Sequence, residues 1–209
     1  MANFGFVKSK LNGTEQIFNM SQNEGGVLPE KYSYKNFLPK VINQGDSPIC
    51  VPCSLSAYLN WRENLKDGSK KDNGIDYMEI FGSRQSFGSN GMSFKDALHY
   101  LKHDGVVSDV GLMKINSYSM VMNYYSLMCA IVMNGPCVGG LPVYNYETNF
   151  WEKGYNDSLL GYHAVSIVGY ENGKFILRNS WGRSFGENGY CSIDISDINK
   201  FVEIWTIVN

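Results

Sequence analysis

Three polar residues, far apart in the sequence, are of the types that carry out acyl transfer through a thiol. Cys50 lies at the start of an apolar helical pattern, His163 lies in the run YHAVSIVGY, and Asn179 follows the run FILR. A helix N-terminus and a nearby imidazolium both stabilise a thiolate, the nucleophilic form of cysteine. A third polar group that accepts the imidazole N–H fixes the orientation of the ring. The sequence therefore predicts a thiol-dependent acyl-transfer site.

The periodicity of the apolar residues predicts the elements that position these side chains. A helix is expected over Cys50–Leu65, where Pro52 is tolerated because the N–H groups of the first turn have no intrahelical partners. Helices first and strands second favour an α+β fold with two lobes. The other predicted helices are Ser93–His103 and Ser119–Met133, and the predicted strands are Cys137–Tyr144, His163–Tyr170, Phe175–Asn179, Gly189–Ile195 and Phe201–Val208.

Three motifs carry a resemblance to a known family. NSWG followed by GENGY, a preceding strand of the HAVxxVGY type, and NQG six residues before a cysteine that opens a helix resemble the papain family of cysteine peptidases. The resemblance runs from about Leu28 to the C-terminus. It departs from the family around Cys50, where Pro48-Ile49 precede and Val51-Pro52 follow in place of the usual Gly-Ser and Trp. The chain resembles a bacterial or phage-type member without disulfides or a long pro-segment.

The resemblance implies a fold and a mechanism. It implies a helical lobe over about residues 45–115, a lobe with an antiparallel sheet or barrel over about 116–209, and an active-site cleft between them. It implies a cysteine endopeptidase that hydrolyses peptide bonds through a Cys50 thioester, with His163 as base and acid and Asn179 as the group that orients it. Gln44 would donate to the oxyanion together with the Cys50 backbone N–H, and Trp181 would shield the Asn179–His163 hydrogen bond from water.

The resemblance also implies a polypeptide substrate, which would bind against a wall of the cleft that contains a glycine. Asn90 and Gly91 match that wall, and a glycine there lets an extended peptide approach the backbone closely. The mechanism needs no cofactor. His99 and His103 share one helix face, but the sequence offers no third metal ligand, so no metal site is expected.

Three alternatives to an endopeptidase follow from the same residues. An isopeptidase, amidase or transpeptidase would form the same acyl-enzyme. The unusual residues around Cys50 are compatible with a catalytically degenerate binding or structural protein. Cys50-Val51-Pro52-Cys53 is also a C-x-x-C motif of thiol–disulfide exchangers, but the strand that should precede it is absent from the sequence pattern. A milder version of the last idea is reversible silencing of the peptidase by oxidation of Cys53 with Cys50.

The amino-acid composition limits the binding partners and the cellular compartment that are expected for the protein. A net charge of −2 and a pI near 5.9 predict neither nucleic acid nor an anionic membrane as a partner. No apolar run is long enough to cross a bilayer, and the N-terminus lacks the apolar segment of a secretory signal. The five cysteines are odd in number and have no framework spacing, which is typical of a reducing compartment. An intracellular protein, associated with a phage or a prokaryote, is expected.

The first 27 residues precede the predicted peptidase domain of residues 28–209. They are polar and rich in Asn and Gly, and they are too few to fold as a separate inhibitory domain. Their length is sufficient for a peptide plug through the cleft, so self-inhibition by residues 1–27, relieved by trimming near Gly25-Gly26, is an expectation from length and position.

Overall fold

The computed structural model of the chain describes residues 4–22, 26–85 and 90–209. Within these ranges the fold is α+β, with helices gathered early in the chain and a large sheet built mostly from its second half, as predicted. The α-helices are α1 Cys50–Asp67, α2 Tyr77–Gly82, α3 Phe94–His103 and α4 Tyr124–Asn134. The strands are β1 Ile17–Phe18, β2 Tyr32–Ser33, β3 Val106–Ser108, β4 Gly111–Met113, β5 Ser117–Val121, β6 Cys137–Val143, β7 Gly161–Glu171, β8 Lys174–Arg178, β9 Tyr190–Asp194 and β10 Glu203–Val208.

Helix α1 is buried almost throughout its first three turns. It begins at Cys50, as predicted, and ends two residues later than predicted, at Asp67. Gly68 stops it, because the residue adopts a left-handed φ of 70° and its N–H bonds the carbonyl of Asn64. The helix packs on strand β7, so its first residue faces the strand that carries His163.

Helix α3 has the boundaries that its sequence indicates. The Ser93 side chain accepts a hydrogen bond from the Asp96 N–H and caps the helix. The short helix α2 was not predicted from the sequence. Its N-terminus is capped by Asp76, whose carboxylate accepts from the N–H groups of Met78 and Glu79.

The predicted helix over Ser119–Met133 is wrong in its first part. Residues up to Val121 form strand β5, and the helix begins only at Tyr124, after the capping residue Asn123. Strand β5 pairs antiparallel with β10 and parallel with β1. Long-range pairing therefore overrides a local pattern of Met, Tyr and Leu that suits a helix and a strand equally well.

In the part of the chain that the structure describes, one sheet of eight strands forms the second lobe. Its order is β1-β5-β10-β6-β7-β8-β9, with β2 paired to β7. All the pairs are antiparallel except β1 with β5. Strands β6 to β10 match the strands predicted from the sequence within two residues, because each of them is a short apolar run bounded by turns.

The N-terminal extension is packed against the domain. Phe6 is buried, with 4% of its surface exposed, and β1 adds an edge strand to the sheet. The Met20 N–H donates to the hydroxyl of the buried Ser126 on α4. The expected trimming point involves Gly25, which lies outside the described residues.

Candidate active site

Cys50 is the first residue of α1 and is completely buried. No side chain caps this end of the helix, so the helix N–H groups remain directed towards the loop that precedes it. The backbone N–H groups of Ala164 and Gly5 lie close enough to the thiol to favour its ionised form. The sulfur is therefore held against β7, at the residue that follows His163 in the strand.

His163 and Asn179 are joined by a short hydrogen bond. His163 lies on β7 and Asn179 follows β8, the neighbouring antiparallel strand. The His163 Nε2 and the Asn179 Oδ1 are 2.7 Å apart, and Asn179 Oδ1 also accepts from the Ser180 N–H. With Nε2 as the donor, the proton-free nitrogen of the ring is Nδ1, which is buried and has no hydrogen-bond partner in the described part of the chain.

Aromatic rings cover the hydrogen bond between His163 and Asn179. The Trp181 ring lies 4.6 Å from the His163 ring, and the Phe150 ring meets the same imidazole edge-on at 5.7 Å. Phe185 packs edge-on against Trp181 at 5.1 Å. These rings keep water from the imidazole and limit its rotation.

Gln44 is fixed beside the start of α1. Its Nε2 donates to the carbonyl of Ser47, and its Oε1 accepts from the Ser180 hydroxyl. Only 6% of the residue is exposed. Because an amide nitrogen carries two hydrogens, one donor remains after the bond to Ser47.

The wall that contains Gly91 lies against the N-terminal extension. The Met92 N–H donates to the Gly5 carbonyl at 2.8 Å, and the Val7 N–H donates to the Met92 carbonyl at 3.0 Å. A Cβ on Gly91 would come within 2.5 Å of the Gly5 carbonyl oxygen, so a side chain there would prevent this approach. Asn90, the other predicted substrate contact, is exposed.

The extension fills the space in front of Cys50. A Cβ on Gly5 would lie 1.9 Å from the Pro48 carbonyl oxygen, so only glycine fits at this point. On one side of Gly5 the Phe6 ring packs on Phe94 at 5.0 Å. On the other side the Phe4 ring stacks on Tyr146 at 5.9 Å and lies 6.4 Å from Trp181. Residues 4–7 thus lie as an extended peptide directly over the thiol.

The model of one protein family, the papain family of cysteine proteases, matches residues 78–204, which is more than half of the chain. The chain belongs to the papain family of cysteine proteases. The matched range includes His163 and Asn179 but begins after Cys50, in agreement with the unusual residues around that cysteine.

Curated relatives support membership of the papain family. A cathepsin L-like proteinase of Phaedon cochleariae is 28% identical over 199 residues, covering 79% of this chain and 60% of its own length. Peptidase 1 of Dermatophagoides pteronyssinus is 40% identical over 187 residues, with 72% and 55% covered. The chain thus spans little more than half the length of these two relatives.

Two solved structures share the fold. Xylellain, a cysteine protease from Xylella fastidiosa, superposes with a TM-score of 0.83 at 21% identity, covering 100% of this chain and 96% of its own. Digestive procathepsin L2 proteinase from Tenebrio molitor larval midgut superposes with a TM-score of 0.76 at 16% identity, covering 100% and 78%. Both likenesses concern the papain-like fold.

Burial shifts the pKa values of Cys50 and His163 in this papain-family site while the extension is in place. Burial raises the pKa of Cys50 to about 11, against the opposing effect of the nearby backbone N–H groups. Burial also lowers the pKa of His163 to about 4, although the bond to Asn179 opposes it. In this closed site burial therefore opposes ionisation of both side chains.

Sequence reasoning missed three residues of the site. Ser180 and Phe185 lie within the NSWGRSFGENGY run, so their proximity to the site was available from the motif. Phe150 lies in the loop between β6 and β7, where no sequence signal distinguishes it from other aromatic residues.

The sequence predicts no metal site, and this prediction includes the pair His99 and His103 on one helix face. Their rings lie 4.3 Å apart on α3. Among the described residues, no group of three or more His, Cys, Asp or Glu side chains is arranged to hold a metal ion. Within the same residues, no helix has both the length and the apolar character needed to cross a membrane.

Proposed function

We propose that the protein is a cysteine endopeptidase that cleaves peptide bonds through a thioester on Cys50. His163 takes the thiol proton through Nδ1 and returns it to the leaving amine. Asn179 holds the imidazole in the required tautomer and orientation. The free N–H of Gln44 and the backbone N–H of Cys50 stabilise the oxyanion, an effect of about 3 kcal/mol for each lost donor in comparable sites.

The observation that carries this proposal is the hydrogen-bonding state of the His163 ring. One nitrogen is bonded to Asn179 at 2.7 Å, and the other is buried without a hydrogen-bond partner among the described residues. An unpaired buried polar atom is costly. Its retention is explained if Nδ1 exchanges a proton with the thiol during the reaction.

The segment of the extension that lies in the cleft favours a polypeptide substrate, with Gly91 as the glycine of the substrate-binding wall. Residues 5–7 bond the backbone of Met92 as an added strand would. An isopeptidase or amidase would use the same thioester, but main-chain pairing of this kind suits an extended peptide. Exposed Asn90 borders the same wall.

Hydrolysis of a quenched fluorescent peptide library tests the proposal. We expect turnover that is blocked by an alkylating agent and is abolished in Cys50→Ala. Cys191→Ser, which alters a partly exposed cysteine on β9, is the matched control and should keep its activity. Full turnover by Cys50→Ala, or failure of a peptide electrophile to label Cys50 after residues 4–7 have been displaced, would contradict the assignment and favour a degenerate binding protein.

We further propose that the N-terminal extension inhibits the peptidase by lying in its own cleft. Gly5 and Phe6 occupy the positions that a substrate backbone and side chain would need. Residues 4–7 form a parallel β-bridge between Phe6 and Met92. Gly5 then lies in front of the Cys50 sulfur. Access of any substrate to Cys50 then requires displacement of residues 4–7.

A matched pair of glycine variants tests inhibition by the extension. Gly5→Ala places a Cβ 1.9 Å from the Pro48 carbonyl oxygen, whereas a Cβ on Gly82 of α2 meets nothing within 4 Å. Gly5→Ala should raise the activity of the intact chain at least about tenfold, since a clash of this size exceeds the 1.4 kcal/mol that corresponds to a factor of ten. Gly82→Ala should leave it unchanged. Equal activity of the two variants would contradict inhibition by the N-terminal extension.

We propose that the protein works in a reducing, intracellular environment. All five cysteines are free thiols, and four of them are buried. Oxidising compartments favour paired cysteines. The net charge of −2 gives no support to a nucleic-acid or membrane partner.

A further inference from the structure

The proposed mechanism uses one of two cysteines that lie on the first turn of α1. Cys53 follows Cys50 by three residues, with Val51 and Pro52 between them. Cys53 is 4% exposed, and neither cysteine is in a disulfide. Any small apolar side chain at position 53 would pack equally well. Packing alone therefore does not explain why a second thiol is present.

Helix geometry places the two cysteines within reach of each other. Residues i and i+3 of an α-helix have Cα atoms about 5 Å apart, inside the range of about 4.4–6.8 Å found in disulfides. Their Cβ atoms, about 5–6 Å apart on a regular helix, must approach to about 3.5–4.5 Å. The first turn can tighten, because Pro52 has no N–H and no side chain caps the helix at Ile49.

A buried positive charge acts on Cys53. The Arg178 guanidinium donates to the carbonyls of Pro39 and Lys40 and to the Tyr190 hydroxyl, all of them neutral acceptors. In the described part of the chain no carboxylate pairs with Arg178, which is 5% exposed. Burial raises the pKa of Cys53 far above its usual value and Cys50 adds to the rise, but Arg178 opposes both. The charge of Arg178 therefore offsets part of the cost of forming the Cys53 thiolate in this buried position.

We propose that Cys50 and Cys53 form a peroxide-sensitive dithiol, in which Cys53 captures the oxidised nucleophile as a disulfide and silences the enzyme reversibly. The proposal rests on the proposed function in one respect, because it requires Cys50 to be a reactive nucleophile. The proposal gives the peptidase a site of oxidative modification at Cys50 and Cys53, and the oxidant is hydrogen peroxide.

The chemistry balances with one peroxide for two thiols. The Cys50 thiolate attacks a peroxide oxygen, the O–O bond breaks, and the leaving oxygen takes a proton as water, which leaves a sulfenic acid. The Cys53 thiolate then attacks the Cys50 sulfur, the S–O bond breaks, and a second water leaves as the S–S bond forms. Both sulfurs are oxidised, and the peroxide is reduced to two waters.

Cys53 decides whether oxidation is recoverable. A dithiol reductant reverses a disulfide, whereas a second peroxide converts an uncaptured sulfenic acid to sulfinic acid, which such a reductant does not restore. The extension also matters, because Gly5 covers the Cys50 sulfur. The form exposed to peroxide is the one with an open cleft, which Gly5→Ala produces in the intact chain.

The test compares intact chains with the Gly5→Ala substitution after exposure to hydrogen peroxide. We expect the peptide that contains residues 50–53 to lose the mass of two hydrogen atoms and to resist alkylation until it is reduced. Dithiothreitol should then restore more than about nine-tenths of the starting peptidase activity. Adding Cys53→Ala should convert the product to a Cys50 with two extra oxygen atoms and an activity that does not return. Adding Cys191→Ser, the matched control, should leave the disulfide and the recovery unchanged.

Two results would overturn the proposal. One is Cys50 sulfinic acid with an alkylatable Cys53 in the Gly5→Ala chain, and the other is survival of both thiols under peroxide that oxidises free cysteine completely. The mass readout does not depend on peptide hydrolysis. A disulfide in a chain without peptidase activity would therefore count against the proposed function alone, and an active peptidase without the disulfide would count against the dithiol alone.

Discussion

The two nitrogens of the His163 imidazole have different surroundings, and this difference organises the candidate site. Nε2 is bonded to Asn179 under a cover of aromatic rings, whereas Nδ1 has no partner among the described residues. A ring that could flip would exchange these two positions and lose the hydrogen bond to Asn179. Asn179 and the rings of Trp181 and Phe150 together prevent that exchange.

Replacing Asn179 with alanine should lower kcat/KM without unfolding the protein. The variant leaves a buried imidazole N–H unpaired, at a cost of about 1–3 kcal/mol. That cost corresponds to a loss of roughly fivefold to 150-fold in rate. Steady-state kinetics and thermal melting measure the two effects separately. Asn116→Ala, at an exposed position, is the control, and equal kinetics for the two variants would argue against an orienting role for Asn179.

At the scale of elements, three pieces of structure meet at the thiol. Helix α1 presents Cys50 at its first residue, β7 brings the N–H of Ala164 against the sulfur, and the extension adds the N–H of Gly5. Further along, the same extension forms β1 on the edge of the sheet, beside β5. The segment over the cleft is thus tied down at a second point, away from the active site.

Loosening β1 should partly activate the intact chain. Phe18 is half-buried against the core, whereas the neighbouring Ile17 is 51% exposed. Phe18→Ala should remove about 1–2 kcal/mol of burial and raise the fraction of open cleft roughly fivefold to thirtyfold. Ile17→Ala is the matched control and should change activity much less. Initial rates on a fluorescent peptide, with hydrogen exchange of residues 4–9, measure the effect; a Phe18→Ala chain as silent as the parent would show that β1 does not anchor the inhibitor.

For the whole molecule, the closed cleft couples folding to pH. His163 prefers the neutral form when folded, since its pKa falls from 6.5 to about 4 through burial. As pH falls from 6.5 towards 4 the unfolded chain binds a proton that the closed form refuses, so stability declines. Burial raises the pKa of Cys50 from 9.0 to about 11, so stability also declines as pH rises from 9.0 towards 11.

Denaturant titrations across pH should reveal both slopes. We expect the contributions of His163 and Cys50 to the free energy of unfolding to be flat between about pH 6.5 and 9 and to fall on either side. In His163→Gln the acid slope should become shallower, and in Cys50→Ala the alkaline slope should do so. Slopes that these substitutions leave intact would assign the pH dependence to other groups.

The fold class and the strands that carry the site could be read from local pattern. Strands β6 to β10 are short apolar runs between turns, and the NSWG and HAVxxVGY runs carry the family resemblance. Helix α1 was readable because its start, its proline and its stop each obey a local rule. The long-range pairing of β5 and the short helix α2 were not readable, because neither has a local signature that distinguishes it.

The sequence alone determined the residue types of a thiol-dependent site, their order along the chain and the papain-like class, because these depend on local periodicity and on motif. Only the tertiary structure decided what surrounds those residues. It placed Phe150 over the imidazole, held Gln44 through Ser180, and laid Gly5 over the sulfur. Gln44 and Ser180 are 136 positions apart, and each of the other two contacts joins a loop or the extension to a different element, so no local pattern reveals them. The same packing raises the pKa of Cys50 and lowers the pKa of His163, because both side chains are buried.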